Sequence, residues 1–210
     1  GAIFVCMYPS CLSFIDMLGV YAFVVSGVMF AMKKKFVVLG FLIISFVTAI
    51  GGGTIRDVLV GNFPVNWLQN DLTILVIFVS AIATMLFGSY FKHLNTALFL
   101  FDALGLGLFT IIGMEIGLKK NFSGGICIAL GTISACFGGV LRDVLLNKLP
   151  LIFHKEIYAL ACVLGGIAYY FLHGTNLNDD ISKFICIILI FVIRIIAVRF
   201  QLSLPRITLK

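Results

Sequence analysis

Charged residues are scarce in this chain, at 11% of its 210 residues. A soluble domain carries about 25%. Apolar residues make up 61% of the sequence and the mean hydropathy is +1.17. A soluble fold of this composition would have too little polar surface to present to water. The shortage of charge therefore excludes a soluble globular protein and predicts a membrane protein.

Clustered metal ligands and catalytic groups are also missing. The six cysteines are scattered through apolar segments, with neither a CxxC pair nor a cysteine–histidine cluster, so we expect no metal centre or disulfide framework. No HExxH, serine–histidine or paired-aspartate arrangement occurs at a suitable depth, and we expect neither an enzyme nor a bound cofactor. The net charge of +6 forms no basic stripe interleaved with aromatic residues, which argues against a nucleic-acid partner.

The chain instead contains a series of long apolar segments. A helix needs about 20 residues to cross the hydrocarbon core of a bilayer. Seven segments meet that length: 11–32, 36–60, 71–91, 95–118, 122–147, 154–173 and 181–200. Because the connections are short, we expect an all-α fold with one transmembrane domain over residues 1–210, embedded in the lipid bilayer of the inner (cell) membrane.

The basic residues of the connections predict the orientation. On one side of the membrane we expect nine of them: Lys33, Lys34, Lys35, Lys92, Lys148, Lys155, Arg199, Arg206 and Lys210. The other side holds three: Lys119, Lys120 and Lys183. Since the more basic side faces the cytoplasm, the N-terminus is predicted outside and the C-terminus inside.

The sequence matches itself after a gap-free shift of 86 residues. Between residues 16–64 and 102–150, sixteen of 49 positions are identical, among them Asp, Gly, Lys, Arg and Pro residues that apolar composition does not explain. We infer two repeats, 11–91 and 95–173, with an extra helix at 181–200. Each repeat has three spans, so the second enters the membrane from the opposite side, an inverted arrangement common in transport proteins.

Each repeat carries the same motif in its middle span. The first reads Gly51-Gly52-Gly53-Thr54-Ile55-Arg56-Asp57, and the second contains Gly138-Gly139-Val140-Leu141-Arg142-Asp143. Glycine weakens a helix by about 1 kcal/mol relative to alanine, so the second and fifth helices are predicted to break here. Exposed carbonyl groups near Gly51–Gly53 and Gly138–Gly139 could then hold a monovalent cation along a wet pathway.

Buried charges supply the other candidate site residues. Ionisable groups in a span usually face the bundle interior. The spans place Asp16 and Arg56 at one depth and their equivalents Asp102 and Arg142 at the other, so we hypothesise one gate-like ion pair on each side. The i, i+1 neighbours Arg56 and Asp57 need not pair with each other. The full set of candidate pathway residues is Asp16, Ser45, Thr48, Gly51, Gly52, Gly53, Thr54, Arg56, Asp57, Asp102, Ser134, Gly138, Gly139, Arg142 and Asp143.

Two further charged residues lie near span ends. Glu115 is the only acidic residue late in the fourth span, and we interpret it as an interfacial residue near Lys119 in preference to a pathway ligand. Arg194 lies in the last span, and we expect its side chain to snorkel toward the cytoplasm.

At the segments GGGTIRDVLVGNFP and FGGVLRDVLLNKLP the chain resembles the prokaryotic TRIC (trimeric intracellular cation) channels, whose wider domain family includes proposed glycine transporters. The resemblance covers essentially the whole chain. It implies a homotrimer with a cation pore in each protomer, lined by the broken second and fifth helices and passing potassium and, less selectively, sodium. Phe137 stands where the second motif would have its first glycine, which puts equal kinking of the two helices in doubt.

Two functions remain open at this point. One is a passive channel for monovalent cations. The other is a secondary transporter of a small solute such as glycine, because inverted repeats suit both and Arg-Asp pairs could bind the two ends of a zwitterion.

Overall fold

The computed structural model describes residues 10–34, 36–88, 94–154, 157–175 and 177–201. Within these ranges the chain is all-helical. The α-helices are α1 (Ser10–Lys33), α2 (Val38–Leu59), α3 (Asp71–Phe87), α4 (Leu94–Lys119), α5 (Gly124–Leu145), α6 (Leu151–His154), α7 (Ile157–His173) and α8 (Asp179–Arg199). A 3-10 turn, Asn66–Gln69, precedes α3.

Five of these helices, α1, α2, α4, α5 and α8, are long and apolar enough to cross a membrane. The predicted third and sixth spans correspond to shorter apolar helices, α3 and α7, of 17 residues each. At about 1.5 Å per residue, 17 residues cover about 25 Å. The predicted sixth span begins later than expected, because the chain at Leu151–His154 forms the separate short helix α6.

Local sequence explains where several helices begin and end. The side chains of Asn70 and Asn178 accept hydrogen bonds from backbone amides at the starts of α3 and α8, as N-cap residues do. The helices α2 and α5 are each followed by a left-handed residue, Gly61 (φ 68°) and Asn147 (φ 51°). These two positions are equivalent under the 86-residue shift, so both repeats end their central helix in the same way.

Helices α1 and α4 form the most deeply buried part of the bundle. They pack against each other, α2 packs on α1 and α5 on α4, and α2 also packs against α5. Helix α3 covers α1, whereas α7 and α8 cover α4 and each other.

Contacts between the repeats are reciprocal. The rings of Phe23 and Phe109, equivalent under the shift, stack with centroids 5.1 Å apart and an interplanar angle of 8°. A Cβ atom at Gly19 would lie 2.9 Å from the Phe109 ring, and one at the equivalent Gly105 would lie 2.5 Å from the Phe23 ring. This pattern is the one that a pseudo-twofold axis between the stacked rings would produce.

The helices α2 and α5 are α-helical at every residue through their glycines, so the predicted breaks are not seen. The glycines instead permit close backbone contact. A Cβ atom at Gly52 would collide with the carbonyl oxygen of Ser134, and one at Gly138 would lie 2.5 Å from the carbonyl oxygen of Thr48. Helix packing therefore accounts for these glycines, and their carbonyl groups belong to regular helix.

Candidate functional site

Two clusters of charged residues lie at equivalent places in the two repeats, and all of their members are buried except Asp16, which is partly exposed. The first cluster consists of Asp16 on α1 with Arg56 and Asp57 near the end of α2. The second cluster consists of the equivalent residues Asp102 on α4 with Arg142 and Asp143 near the end of α5. Both arginines are almost fully buried, so the geometry around each one decides what the cluster can do.

In the second cluster, Arg142 is held from several sides. Its Nη1 atom donates to Asp102 Oδ1 at 2.8 Å and to Ser26 Oγ at 2.7 Å, and its Nε atom donates to Asp143 Oδ1 at 3.0 Å. The guanidinium also lies 4.1 Å from the centroid of the Phe30 ring. The structure thus contains the predicted Asp102–Arg142 pair.

In the first cluster the predicted Asp16–Arg56 pair is not formed. Arg56 turns to Asp57, with its Nε and Nη2 atoms 2.9 and 2.8 Å from Asp57 Oδ1. Among the described residues, Asp16 makes neither a hydrogen bond nor an ion pair, and the Nη1 atom of Arg56 has no hydrogen-bond partner. The two clusters also differ in a neighbour, because Ile112 on α4 occupies the position equivalent to Ser26 and Arg56 therefore lacks the hydroxyl partner that Arg142 has.

Asp57 and Asp143 have a structural task in addition to pairing with their neighbouring arginines. The Oδ2 atom of Asp57 accepts from the amide of Asn66 at 2.8 Å, and the Oδ2 atom of Asp143 accepts from the amide of Leu151 at 3.2 Å. Each aspartate therefore holds the start of the short helix that follows its own long helix. The i, i+1 pairing with arginine, which the sequence did not require, uses the remaining carboxylate oxygen.

A small cavity lies beside the first cluster. It offers about 20 Å³ to the centres of water molecules, enough for a water. Four of the candidate pathway residues line it, namely Asp16, Gly53, Arg56 and Asp57. The sequence reasoning missed other lining residues: Val20, Ala49, Ile50, Asn66, Trp67, Thr73 and Phe109. One signal for them was available, since Trp67 is the only tryptophan in the chain.

The predicted hydroxyl ligands divide into two groups. Ser45, Thr48 and Thr54 donate to carbonyl oxygens of their own helix, Leu42, Ile44 and Ile50, as hydroxyl groups in apolar helices commonly do. Thr54 also accepts from the indole nitrogen of Trp67 at 3.1 Å and so fixes the cavity wall. In the second group is Ser134, whose hydroxyl is buried without a partner in the described part of the chain.

The outer glycines of each motif also lie at packing contacts. A Cβ atom at Gly51 would lie 2.5 Å from the Leu141 side chain, and one at Gly139 would lie 2.6 Å from the Tyr158 hydroxyl. Four of the five motif glycines therefore lie at contacts with neighbouring helices: Gly51, Gly52, Gly138 and Gly139. Gly53 is the motif glycine that lines the cavity.

A further polar cluster joins α4, α7 and α8, and the sequence did not predict it. Glu115 is buried and accepts from the Tyr169 hydroxyl. The Nζ atom of the buried Lys183 lies 2.6 Å from Asp179 Oδ2 and 3.7 Å from Glu115 Oε1. Glu115 also lies 3.8 Å from Lys119, as expected, but it is inside the bundle and not at an exposed interface.

Replacing Lys183 by methionine is expected to destabilise the protein by about 3 kcal/mol, because Glu115 and Asp179 would lose their shared buried cation. Detergent-solubilised protein titrated with a denaturing detergent would measure the loss. Lys120→Met, at an exposed position after α4, should change stability by about 0.5 kcal/mol at most. Equal losses in the two variants would contradict a bonding role for Lys183.

Arg194 is the second place where the structure corrects the interpretation of a charge. Its guanidinium does not snorkel to the membrane surface. It is buried on α8, 4.6 Å from the Tyr158 ring centroid and 5.3 Å from that of Phe99. Flat aromatic faces stabilise a guanidinium, so Arg194 fastens the extra helix to the bundle.

Comparisons with known proteins agree in pointing to one family. A family model described as "Glycine transporter" matches the chain twice, at residues 13–89 and 99–174. The two matched segments begin at the offset that aligned the repeats. A UPF0126 membrane protein of Vibrio cholerae is 38% identical, covering 93% of this chain and 82% of its own length. The UPF0126 inner membrane protein YadS of Escherichia coli is 33% identical, covering 91% of this chain and 93% of its own.

Solved structures of similar fold are cation channels. The TRIC trimeric intracellular cation channel orthologue from Rhodobacter sphaeroides has a TM-score of 0.87 and 31% identity, covering 92% of this chain and all of its own. A structure described as the basis for conductance through TRIC cation channels has a TM-score of 0.81 and 32% identity, covering 94% of this chain and 98% of its own.

Proposed function

We propose that this chain, which belongs to the family of membrane proteins described as glycine transporters and is related to the UPF0126 proteins, is a monovalent cation channel. The observation that carries the proposal is its likeness to TRIC cation channels over more than nine-tenths of the chain at about one-third identity. The first cluster adds support, because two carboxylates and one guanidinium around a cavity leave one negative charge in excess.

We propose a potassium-permeable pathway within each protomer, along α2 and α5. The glycine-rich stretches of these helices, the two charge clusters and the hydroxyl groups of Ser45, Thr48, Thr54 and Ser134 are the candidate pathway residues. In the described structure the contacts of Gly52 and Gly138 close the space between α2 and α5, so conduction requires these helices to move. The Asp102–Arg142 pair closes the end nearest the predicted cytoplasmic side.

We further propose seven membrane spans, of which α3 and α7 are the short ones, in two inverted repeats. The double match of the family model and the reciprocal contacts of Phe23 and Phe109 support the duplication. The N-terminus would then be outside and the C-terminus in the cytoplasm. A homotrimer is proposed from the trimeric relative, and light scattering of the purified protein in detergent would test it.

Planar-bilayer recording of purified protein tests the channel. We expect unitary currents in potassium chloride, with a reversal potential in a salt gradient that shows preference for cations over chloride. A bilayer that contains verified protein and shows no unitary current would contradict the channel proposal.

A glycine carrier is the second candidate, favoured by the family description and by one feature of the site. Among the described residues, the Asp16 carboxylate has no ion-pair partner and the Arg56 Nη1 atom has no hydrogen-bond partner, and these two groups match the ammonium and carboxylate ends of a zwitterion. Saturable uptake of labelled glycine into liposomes, together with the absence of unitary currents, would establish the carrier in place of the channel.

A further inference from the structure

The two charge clusters have the same formal charge but different surroundings. Each has two carboxylates and one guanidinium. Around the second cluster, Lys33 and Lys148 lie on the same Phe30 ring as Arg142, with their Nζ atoms 5.5 and 4.6 Å from its centroid. Two exposed ammonium groups therefore bring positive charge close to the second cluster.

Among the described residues, no lysine is recorded beside the first cluster in this way. Within the described ranges, the charged groups that act on Asp16 are Arg56 and Asp57. Arg56 is already bonded to Asp57, which leaves the charge of Asp16 without a direct counter-ion. An uncompensated charge inside an apolar bundle is costly, so a mobile cation is the natural complement.

The cavity beside Asp16 has the ligands that such a cation needs. Thr73 on α3 is 2% exposed, lines the cavity, and its hydroxyl oxygen makes no hydrogen bond to the described residues. Carboxylate, hydroxyl and water oxygens are the ligands that hard cations prefer. The Nη1 atom of Arg56 has no hydrogen-bond partner among the described residues, and Arg56 lines the same cavity, so this atom can donate to a water that accompanies the cation.

We propose that Asp16 and Thr73 form a binding site for a partly hydrated potassium or sodium ion at the first cluster. The inference rests on the proposed cation-channel function and adds where the permeating ion is first held. The pathway is then asymmetric, because a permeant ion balances the charge of the first cluster, whereas Lys33 and Lys148 bring positive charge close to the second. The site lies at a side-chain carboxylate, and not at glycine carbonyl groups in broken helices.

Trp67 provides the measurement, since it is the only tryptophan and lines the same cavity. Purified protein in detergent is titrated with potassium chloride or sodium chloride, with N-methylglucamine chloride keeping the ionic strength constant, and Trp67 emission is followed. We expect a saturable change with either cation. Asp16→Asn should raise the half-saturating concentration about tenfold or more, and Thr73→Val should raise it by a smaller factor.

Asp71→Asn is the matched control, because Asp71 is an exposed carboxylate two residues before Thr73 on the same helix; its titration should match that of the wild type. The proposal fails if Trp67 emission does not saturate, if Asp16→Asn leaves the titration unchanged, or if emission follows pH alone, which would make a proton the occupant. Saturable binding in this titration without unitary currents would contradict the channel proposal and support the cation site. Unitary currents without saturable binding would support the channel and contradict the cation site.

Discussion

Replacing Gly52 by alanine is expected to force α2 and α5 apart and to destabilise the protein by about 3 kcal/mol, the upper end of the usual cost of overpacking. The reason is that the new methyl group would overlap the carbonyl oxygen of Ser134, a backbone atom that no rotamer change can move aside. Gly138→Ala meets the carbonyl oxygen of Thr48 and should behave in the same way. Denaturing-detergent titrations with circular dichroism would measure both.

Gly125→Ala is the control for this experiment. Gly125 lies in the first turn of α5, and a Cβ atom there would meet nothing within 4 Å. Because alanine favours a helix over glycine by about 1 kcal/mol, this variant should be neutral or slightly more stable. If Gly52→Ala proved as stable as Gly125→Ala, the close approach of α2 and α5 would be wrong, and a flexible break at the glycines would again be the better explanation.

The glycine motif shows how far the sequence could lead. It correctly singled out a special stretch of backbone in each repeat, because runs of glycine in an apolar span are costly without compensation. It did not show what the compensation is. The reciprocal contacts of Gly52 with Ser134 and of Gly138 with Thr48 depend on how two distant helices cross, and periodicity within one helix carries no information about that crossing.

The ion pairs give a second comparison. Equal depth in the repeat predicted Asp102–Arg142, which the structure contains, and Asp16–Arg56, which it lacks. The repeat symmetry held for the charged residues but not for their neighbours, since Ser26 is matched by Ile112. The sequence did not indicate the Glu115–Lys183 contact, because it joins α4 to α8, a helix that is distant in the chain and outside the repeats.

The helical membrane fold was predicted from composition and the spacing of apolar segments, and the family from the resemblance that the paired motif carries. Helix lengths were less predictable, since the apolar pattern continues beyond Phe87, where α3 ends. The cavity wall was missed because Trp67 and Thr73 lie in a 3-10 turn and in a first helical turn, where no periodic pattern marks them. Residues that line a cavity from a loop or from the first turn of a helix are therefore the hardest to predict from sequence.

The largest difference between the two repeats is expected when each arginine is replaced by methionine. Arg142→Met would leave Asp102 and Asp143 buried without the cation that they share, at a cost of about 3–5 kcal/mol. Arg56→Met would strand one bonded carboxylate, Asp57, whereas Asp16 already lacks a direct partner and borders a cavity with room for water. The expected loss is therefore smaller, about 1–3 kcal/mol.

A double-mutant cycle separates the pair from the burial of its members. Combining Asp102→Asn with Arg142→Met should reveal a coupling energy of about 2 kcal/mol, and combining Asp16→Asn with Arg56→Met should reveal about 0.5 kcal/mol. Both cycles can be read from the same unfolding titrations. The Asp102–Arg142 ion pair closes one end of the proposed pathway, whereas the described residues show no such pair between Asp16 and Arg56 at the other end. We therefore expect the two coupling energies to differ. Equal values in the two cycles would mean that Asp16 and Arg56 pair in the membrane as their equivalents do, and Asp16 would then not be available to hold a cation together with Thr73.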